Sequence, residues 1–352
     1  MIGEPEITPV RAAHRFDERA LAEFLDQRLG GSVPVRVAQF EGGQSNPTFL
    51  IERGSERLVL RKKPPGRLLP SAHQVDREYR VMSALRKTAV PVPETIALCE
   101  DDAVLGTAFF VMRNVAGRVI ADPRLPGFTP AERTALYRDM ARVLAALHGV
   151  DLETVGLADF GKPGNYYTRQ ISRWSRQYTD SKTEDIPAME ALMEWLPDNV
   201  PDSDETGIVH GDYRIGNCIL HPTEPRVVAV LDWELSTLGH PLADLAYFCQ
   251  NYRGDATPGS SLVGLDLAAM GIPDEESFVS RYCELAGRAG IDHWAFYMVF
   301  VMFRSAAIVQ GVYKRGLDGN ASSEHAHLFG ALVRQRADDA WNLARESGGS
   351  AG

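Results

Sequence analysis

The sequence predicts an α+β fold of two lobes, a β-rich lobe over residues 1–116 and an α-rich lobe over residues 117–352. Three observations predict it. Between Val33 and Leu60 the chain runs in short β-prone segments, VRVAQF, TFLIER and ERLVLR, parted by EGGQSNP and RGSE as at two hairpin turns. From Thr129 onward the apolar residues recur at helical spacing instead. The length, 352 residues with 44% hydrophobic content, is enough for two cores.

The elements follow in order. DERALAEFLDQRLGG opens with Asp17 as N-cap, carries Leu21, Phe24, Leu25 and Leu29 on one face, and stops at Gly30-Gly31, as an amphipathic helix does. The three β-prone runs then make a three-stranded antiparallel sheet. In SAHQ, Ser71 and Gln74 have capping-box spacing, and a helix follows through Val75, Glu78, Tyr79, Met82 and Leu85 until VPVP, residues 90–93, ends it. ETIALCE and AFFVMRNV read as strands, joined by an aspartate turn and a stop at Gly106, and past Gly117 the chain changes character.

TPAE places an N-cap threonine, a first-turn proline and a capping-box glutamate in sequence, and Leu136, Met140, Val143, Leu144 and Leu147 form the buried stripe behind it. NYYTRQISRWSRQY and AMEALMEWL are further helices parted by DSKTED. IVHGDYRIGNCIL and VVAVLDW insert a strand, a loop and a strand before ESFVSRYCELAGRAG, HWAFYMVFVMFRSAAIVQGVYKRG and the segment ending LFGALVRQRADDAWNLARE return to helix.

A net charge of -10 makes nucleic acid an unsuitable main partner. No stretch reaches the roughly 18 uninterrupted apolar residues of a membrane span, and MIGEPEITPVRAAHRF lacks the pattern of a signal peptide, so the expected location is cytoplasmic, with no membrane partner. Cys99, Cys218, Cys249 and Cys283 form no C-x-x-C pair and read as reduced thiols.

Within IVHGDYRIGNCIL, residues 208–220, a histidine, an aspartate, an arginine and an asparagine sit among apolar neighbours. Buried unpaired, each would cost a few kcal/mol, so they are satisfied structurally or held for chemistry. Asp212 and Asn217 are five apart, the spacing of the kinase catalytic loop, and Asp232 follows a predicted strand where kinases carry a second aspartate. A hard cation bridging phosphate oxygens takes oxygen ligands and needs only one or two carboxylates.

HGDYRIGN and LDWELSTLGHPLADLA resemble the two signature segments of the aminoglycoside phosphotransferase and choline kinase-like family, and the strand pattern of the first lobe is similar as well. LRKKPPGRLLPSAHQVDREYRVM, GNYYTRQISRWSRQY and VYKRGLDGNASSE resemble, more closely, the kinase-like domain fused to some acyl-CoA dehydrogenases; nothing in the chain looks like a flavin-binding dehydrogenase domain. The resemblance implies a bilobal protein-kinase-like fold, ATP and Mg2+ as cofactors, Asp212 as the base or hydroxyl-positioning group, and Asn217 and Asp232 as magnesium ligands. It makes His210 and Asp244 braces of the loop, and gives Arg214 a contact to Asp212 or to phosphate.

In LVLRKKP, strand alternation sends Arg61 and Lys62 to opposite faces, so only one enters the nucleotide cleft. The resemblance favours Arg61 paired with Glu78, and Lys62 is the alternative. Gly42-Gly43 reads as a turn; the resemblance adds Gly43, Ser45 and Asn46 as phosphate contacts, Met112 as the residue beside adenine, and Arg113 and Val115 as backbone partners of adenine. The expected activity is transfer of phosphate to a hydroxyl of a small molecule, a hydroxyacyl-CoA or related hydroxy acid, with a functional link to an acyl-CoA dehydrogenase. Arg169, Arg173, Arg304 and Arg315 suit an anionic acid or CoA group. The alternatives are an antibiotic kinase of the aminoglycoside type, or a nucleotide-binding regulatory module without turnover.

Overall fold

A computed structural model of the chain describes residues 6–41, 46–64, 66, 73–254, 261–319 and 329–348. These residues form two compact units. One comprises residues 1–159, 214–236 and 270–272, the other residues 160–213, 237–269 and 273–352.

The first unit is built on a six-stranded antiparallel sheet. Its strands are β1 (Ile7–Thr8), β2 (Val35–Phe40), β3 (Thr48–Arg53), β4 (Glu56–Lys62), β5 (Thr95–Cys99) and β6 (Phe109–Arg113), in the order β1-β2-β3-β4-β6-β5. The three strands expected there are present, two with the bounds of VRVAQF and TFLIER and the third running one residue past ERLVLR to Lys62; the sheet is wider because β6 pairs with β4, Leu60 opposite Val111, and because Ile7–Thr8, too short for any periodicity, adds to the far edge. Helix α1 (Glu18–Leu29) starts where Asp17 accepts hydrogen bonds from the Arg19 and Ala20 N–H groups and ends at Gly30, whose φ of 78° suits glycine. Leu21, Phe24 and Leu25 of α1 bury against Phe49, Leu58, Leu60, Phe109 and Val111 on one face of the sheet.

Helix α2 (Val75–Leu85) begins later than the capping-box reading implies. Gln74 is itself the N-cap and its side chain makes no cap bond, while Ser71 lies outside the described residues. The short helix α3 (Asp102–Leu105), capped by Asp101, fills the predicted turn before Gly106. Strand β7 (Arg118–Val119) leads to helix α4 (Pro130–His148), whose N-terminus carries the predicted capping box of Thr129 and Glu132.

The compact units divide differently from a boundary at residue 116. Arg118 and Val119 pair with Leu220 and Ile219, which draws the chain beyond 116 into the first unit. Gly117 is required there by close approach: a Cβ on it would sit 2.3 Å from both the Ile219 Cγ2 and the Leu220 carbonyl oxygen. Gly117→Ala is expected to destabilise the protein by about 1–3 kcal/mol through overpacking, read as a lower urea midpoint with an unchanged m-value.

The second unit is helical around one hairpin-like pair. In chain order it holds α5 (Tyr166–Ser181), α6 (Pro187–Asp198) and β8 (Gly207–Val209). The chain then passes through β9 (Cys218–Leu220) and β10 (Val227–Val230), which pair with each other in the first unit. It continues as β11 (Thr237–Gly239), antiparallel to β8, then α7 (Leu242–Cys249), the short α8 (Leu267–Met270), α9 (Glu275–Ala286), α10 (Trp294–Leu317) and α11 (Gly330–Gly348). Helix α10 is long and apolar enough to cross a membrane, yet most of it, including Phe300, Val301, Phe303 and Ala306, is buried in the core of this unit. The four cysteines are free and buried.

Candidate active site

Alternation along β4 builds the centre of the site. Leu58 and Leu60 face α1, so Val59 and Arg61 face the other side, where they line a cavity of about 290 Å³ in the first unit together with Glu78, Met112, Asn217 and Asp232. The Arg61 guanidinium lies 2.9 Å from Glu78 Oε2 through Nε, 2.6 Å from Asp232 Oδ1 and 3.7 Å from Glu234 Oε2 through Nη2. One cation thus stands among three carboxylates, leaving an acidic surplus beside two oxygen donors, the Asn217 amide and the Asp232 carboxylate.

Glu78 is 1% exposed, and burial pushes its carboxyl up to about 7; Arg61 opposes the rise, while Asp232 and Glu234 add to it. Its ordinary value is near 4.5, so between about pH 4.5 and 7 the folded protein holds a proton there that the unfolded chain has released. Stability from this group is therefore complete below about pH 4.5 and lost as the pH rises through about 7. In the nucleotide-free protein, the melting temperature is expected to fall across that interval, with a shallower slope in Glu78→Gln; equal slopes would contradict it.

Asn217 is buried and Asp232, two residues past the end of β10, is a non-glycine residue in the left-handed region at φ 65°. Among the described residues no group of three or more histidine, cysteine, aspartate and glutamate side chains is placed to hold a metal on its own. The chemistry of the pair fits Mg2+, which dehydrates reluctantly and takes one or two protein oxygens beside phosphate and water.

In the second unit the backbone of the loop that carries Asp212 is braced by hydrogen bonds. Asp244 on α7 accepts hydrogen bonds from the His210 N–H at 2.6 Å and the Gly211 N–H at 2.8 Å, and His210 Nδ1 accepts from the Asp212 N–H at 3.2 Å. Gly211 has φ 84°, which turns the chain so that both N–H groups converge on one carboxylate. The Tyr247 hydroxyl donates to Asp212 Oδ1, and Arg304 donates to the Gly211 carbonyl at 2.8 Å. The braces act on the backbone, and the Asp212 side chain meets the Tyr247 hydroxyl.

Several expected contacts fall elsewhere. Lys62 points to the opposite face of the sheet, where its ammonium donates to Thr107 Oγ1 at 2.6 Å, so Arg61 is the residue on the cavity side. Asn46 is fully buried and spends its amide on Glu78 Oε1 and His73, which makes it a brace for Glu78 rather than a phosphate contact. Gly43 and Ser45 lie outside the described residues. The Arg113 N–H is engaged by the Glu94 carbonyl, whereas the Val115 N–H has no backbone partner among the described residues and Val115 lines the cavity. The Arg214 guanidinium lies over Gly216 in the first unit. Arg169 is spent on the carbonyls of Lys162 and Gly164, and Arg315 is exposed.

Tyr247 and Glu234 went unread. The signal for Tyr247 is its place three residues after Asp244 on α7, hence on the same face of the helix. That for Glu234 is only its nearness to Asp232, which says nothing until the loop conformation is known.

A model of the phosphotransferase enzyme family matches residues 36–287. Acyl-CoA dehydrogenase family member 10 of Mus musculus is 46% identical over 354 residues, covering 99% of this chain and 33% of that protein. Family member 11 of Homo sapiens is 43% identical over 352 residues, covering 98% and 45%. The chain thus spans a third to under half of the length of these curated relatives. A crystal structure from Ralstonia eutropha, named provisionally as an aminoglycoside phosphotransferase, aligns with a TM-score of 0.87 at 50% identity over 94% of this chain and 99% of that one. An aminoglycoside phosphotransferase in ternary complex with ADP and hygromycin B aligns with a TM-score of 0.59 at 21% identity, covering 92% and 98%; this likeness is one of fold alone.

Proposed function

The chain belongs to the phosphotransferase enzyme family, and from that premise we propose that it transfers the γ-phosphoryl group of ATP to a hydroxyl of a small hydroxyacyl compound, as its CoA ester or free acid. The observation that carries the reading is the cavity of the first unit, where Arg61 is held by Glu78 beside Asp232 and Asn217. Arg61 donates to the triphosphate, the free Val115 N–H meets the adenine edge, and Met112 packs against the base. Asn217 and Asp232 would hold Mg2+, which when bound offsets the negative charge of the phosphates. Asp212, braced through its backbone and met by Tyr247, orients the acceptor hydroxyl.

The hydroxyl oxygen bonds to the γ-phosphorus as the bond to the bridging oxygen of ADP breaks, and the hydroxyl proton passes to Asp212. Catalysis of this kind is mainly positioning and electrostatics. The acyl acceptor is supported by the names of the curated relatives, and by chemistry: phosphorylation turns a hydroxyl into a leaving group, a step that suits a functional link to an acyl-CoA dehydrogenase. An aminoglycoside is a polycation and calls for carboxylates, whereas Arg304 and Arg173 flank Trp174 in the unit that carries Asp212.

The test is a thermal shift with ATP and Mg2+, followed by ADP release with hydroxyacyl-CoAs, aminoglycosides and choline-like alcohols. Release with the hydroxyacyl compounds is expected. A thermal shift without release from any alcohol would instead mark a regulatory module.

A further inference from the structure

Arg304 is a buried cation with most of its hydrogen-bonding capacity unspent. It is 8% exposed, on the long core helix α10, and among the described residues its guanidinium makes one hydrogen bond, Nη2 to the Gly211 carbonyl at 2.8 Å. No carboxylate reaches ion-pair distance of it among the described residues. Two aromatic rings lie beside it instead: the guanidinium carbon lies 5.5 Å from the centroid of the Trp174 ring and 5.3 Å from that of Tyr247. A guanidinium has five N–H donors in a planar fork. Aromatic contact stabilises its charge but satisfies none of those donors, and none of its nitrogens is sealed from solvent without a partner, so the unspent donors face space that a ligand can enter. Arg173, whose guanidinium carbon lies 5.3 Å from the centroid of the same Trp174 ring, adds a second cation nearby.

The neighbours of Arg304 say what oxygen would meet the fork. It holds Gly211, the residue before Asp212, and stacks on Tyr247, whose hydroxyl donates to Asp212. We propose that Arg304 binds an acyl oxygen of the acceptor, so that the substrate is a short hydroxyacyl compound gripped at its acyl end between Trp174 and Tyr247 while its hydroxyl lies at Asp212. This rests on the phosphotransferase reading and adds the residue that selects the acceptor. The acyl oxygen is either the carboxylate of a free hydroxy acid or the carbonyl of its CoA ester. Both accept from the fork; an alcohol with no acyl group does not.

The experiment compares 4-hydroxypentanoate, its CoA ester and pentane-1,4-diol as acceptors for the wild-type protein and for Arg304→Gln, which keeps a hydrogen-bonding amide on α10 but is shorter, uncharged and without the fork. In the wild type, kcat/KM for the better acyl acceptor is expected to exceed that for the diol by about 10- to 100-fold, the worth of a charge-assisted hydrogen bond. In Arg304→Gln that ratio is expected to collapse toward one. A purely structural role would lower all three acceptors together and keep the ratio, which would overturn the proposal. Preference for the free acid assigns the carboxylate, and preference for the ester assigns the thioester carbonyl. Arg304→Lys, which keeps the charge but not the fork, is the second variant should the first fail to fold, and an intermediate ratio is expected for it. ATP binding with no ADP release from any of the three acceptors removes the phosphotransferase reading itself, a result distinct from a ratio that survives the substitution.

Discussion

With Asp212 replaced by asparagine, ADP release in the presence of acceptor is expected to fall by about 10²- to 10⁴-fold, while ATP affinity changes little. The expected split follows from where the residue is tied. The backbone of its loop is held by Asp244 and His210 through N–H groups that the substitution leaves in place. The cavity that carries Arg61, Glu78, Asn217 and Asp232 does not include Asp212 among its lining residues. Asparagine keeps the shape and can still meet the Tyr247 hydroxyl, but it cannot take a proton from the acceptor. Turnover measured by coupled ADP release, set beside ATP affinity from calorimetry, separates the two. Equal loss of both would count against the assignment of Asp212.

The second large effect is expected at Asp232. Asp232→Asn should lower kcat/KM for ATP by about 10²- to 10³-fold, a loss of electrostatic support for the phosphates like that from removing one preorganised group in other enzymes. Asparagine is the informative replacement because the backbone at Asp232 is left-handed, a conformation that asparagine tolerates and alanine does not. Folding should therefore be nearly unchanged, and what is lost is the charge that faces both Arg61 and the cavity. Raising the Mg2+ concentration is expected to recover part of the activity of this variant and none of that of Asp212→Asn. Similar recovery in both would contradict the separate roles.

Much of the fold was legible because local signals agreed with tertiary packing. Asp17 and Gly30 bound α1, Thr129, Pro130 and Glu132 start α4, and the three β-prone runs became β2, β3 and β4. What was not legible depends on pairing between distant segments: β7 with β9, which makes the compact units divide away from residue 116, and the seat of Gly117 against Leu220. In the site, alternation along β4 sends Arg61 and Lys62 to opposite faces without saying which face holds the cavity; Glu78 and the partners of Lys62 decide that. Asn46 shows the limit of a residue type: an amide suits phosphate or a buried carboxylate equally, and only the fold spends it on Glu78. Tyr247 and Arg304 converge on the loop of Gly211 and Asp212 from α7 and α10, two helices whose nearness no local pattern encodes.

The most direct measurement is phosphorus NMR of the protein with ATP, Mg2+ and the CoA ester of 4-hydroxypentanoate. The expected result is a phosphate-ester resonance that grows as the γ-phosphate of ATP declines, absent when Asp212 is replaced by asparagine. Decline of ATP into inorganic phosphate alone, or no decline while nucleotide is bound, would contradict a chain built to pass a phosphoryl group to an alcohol.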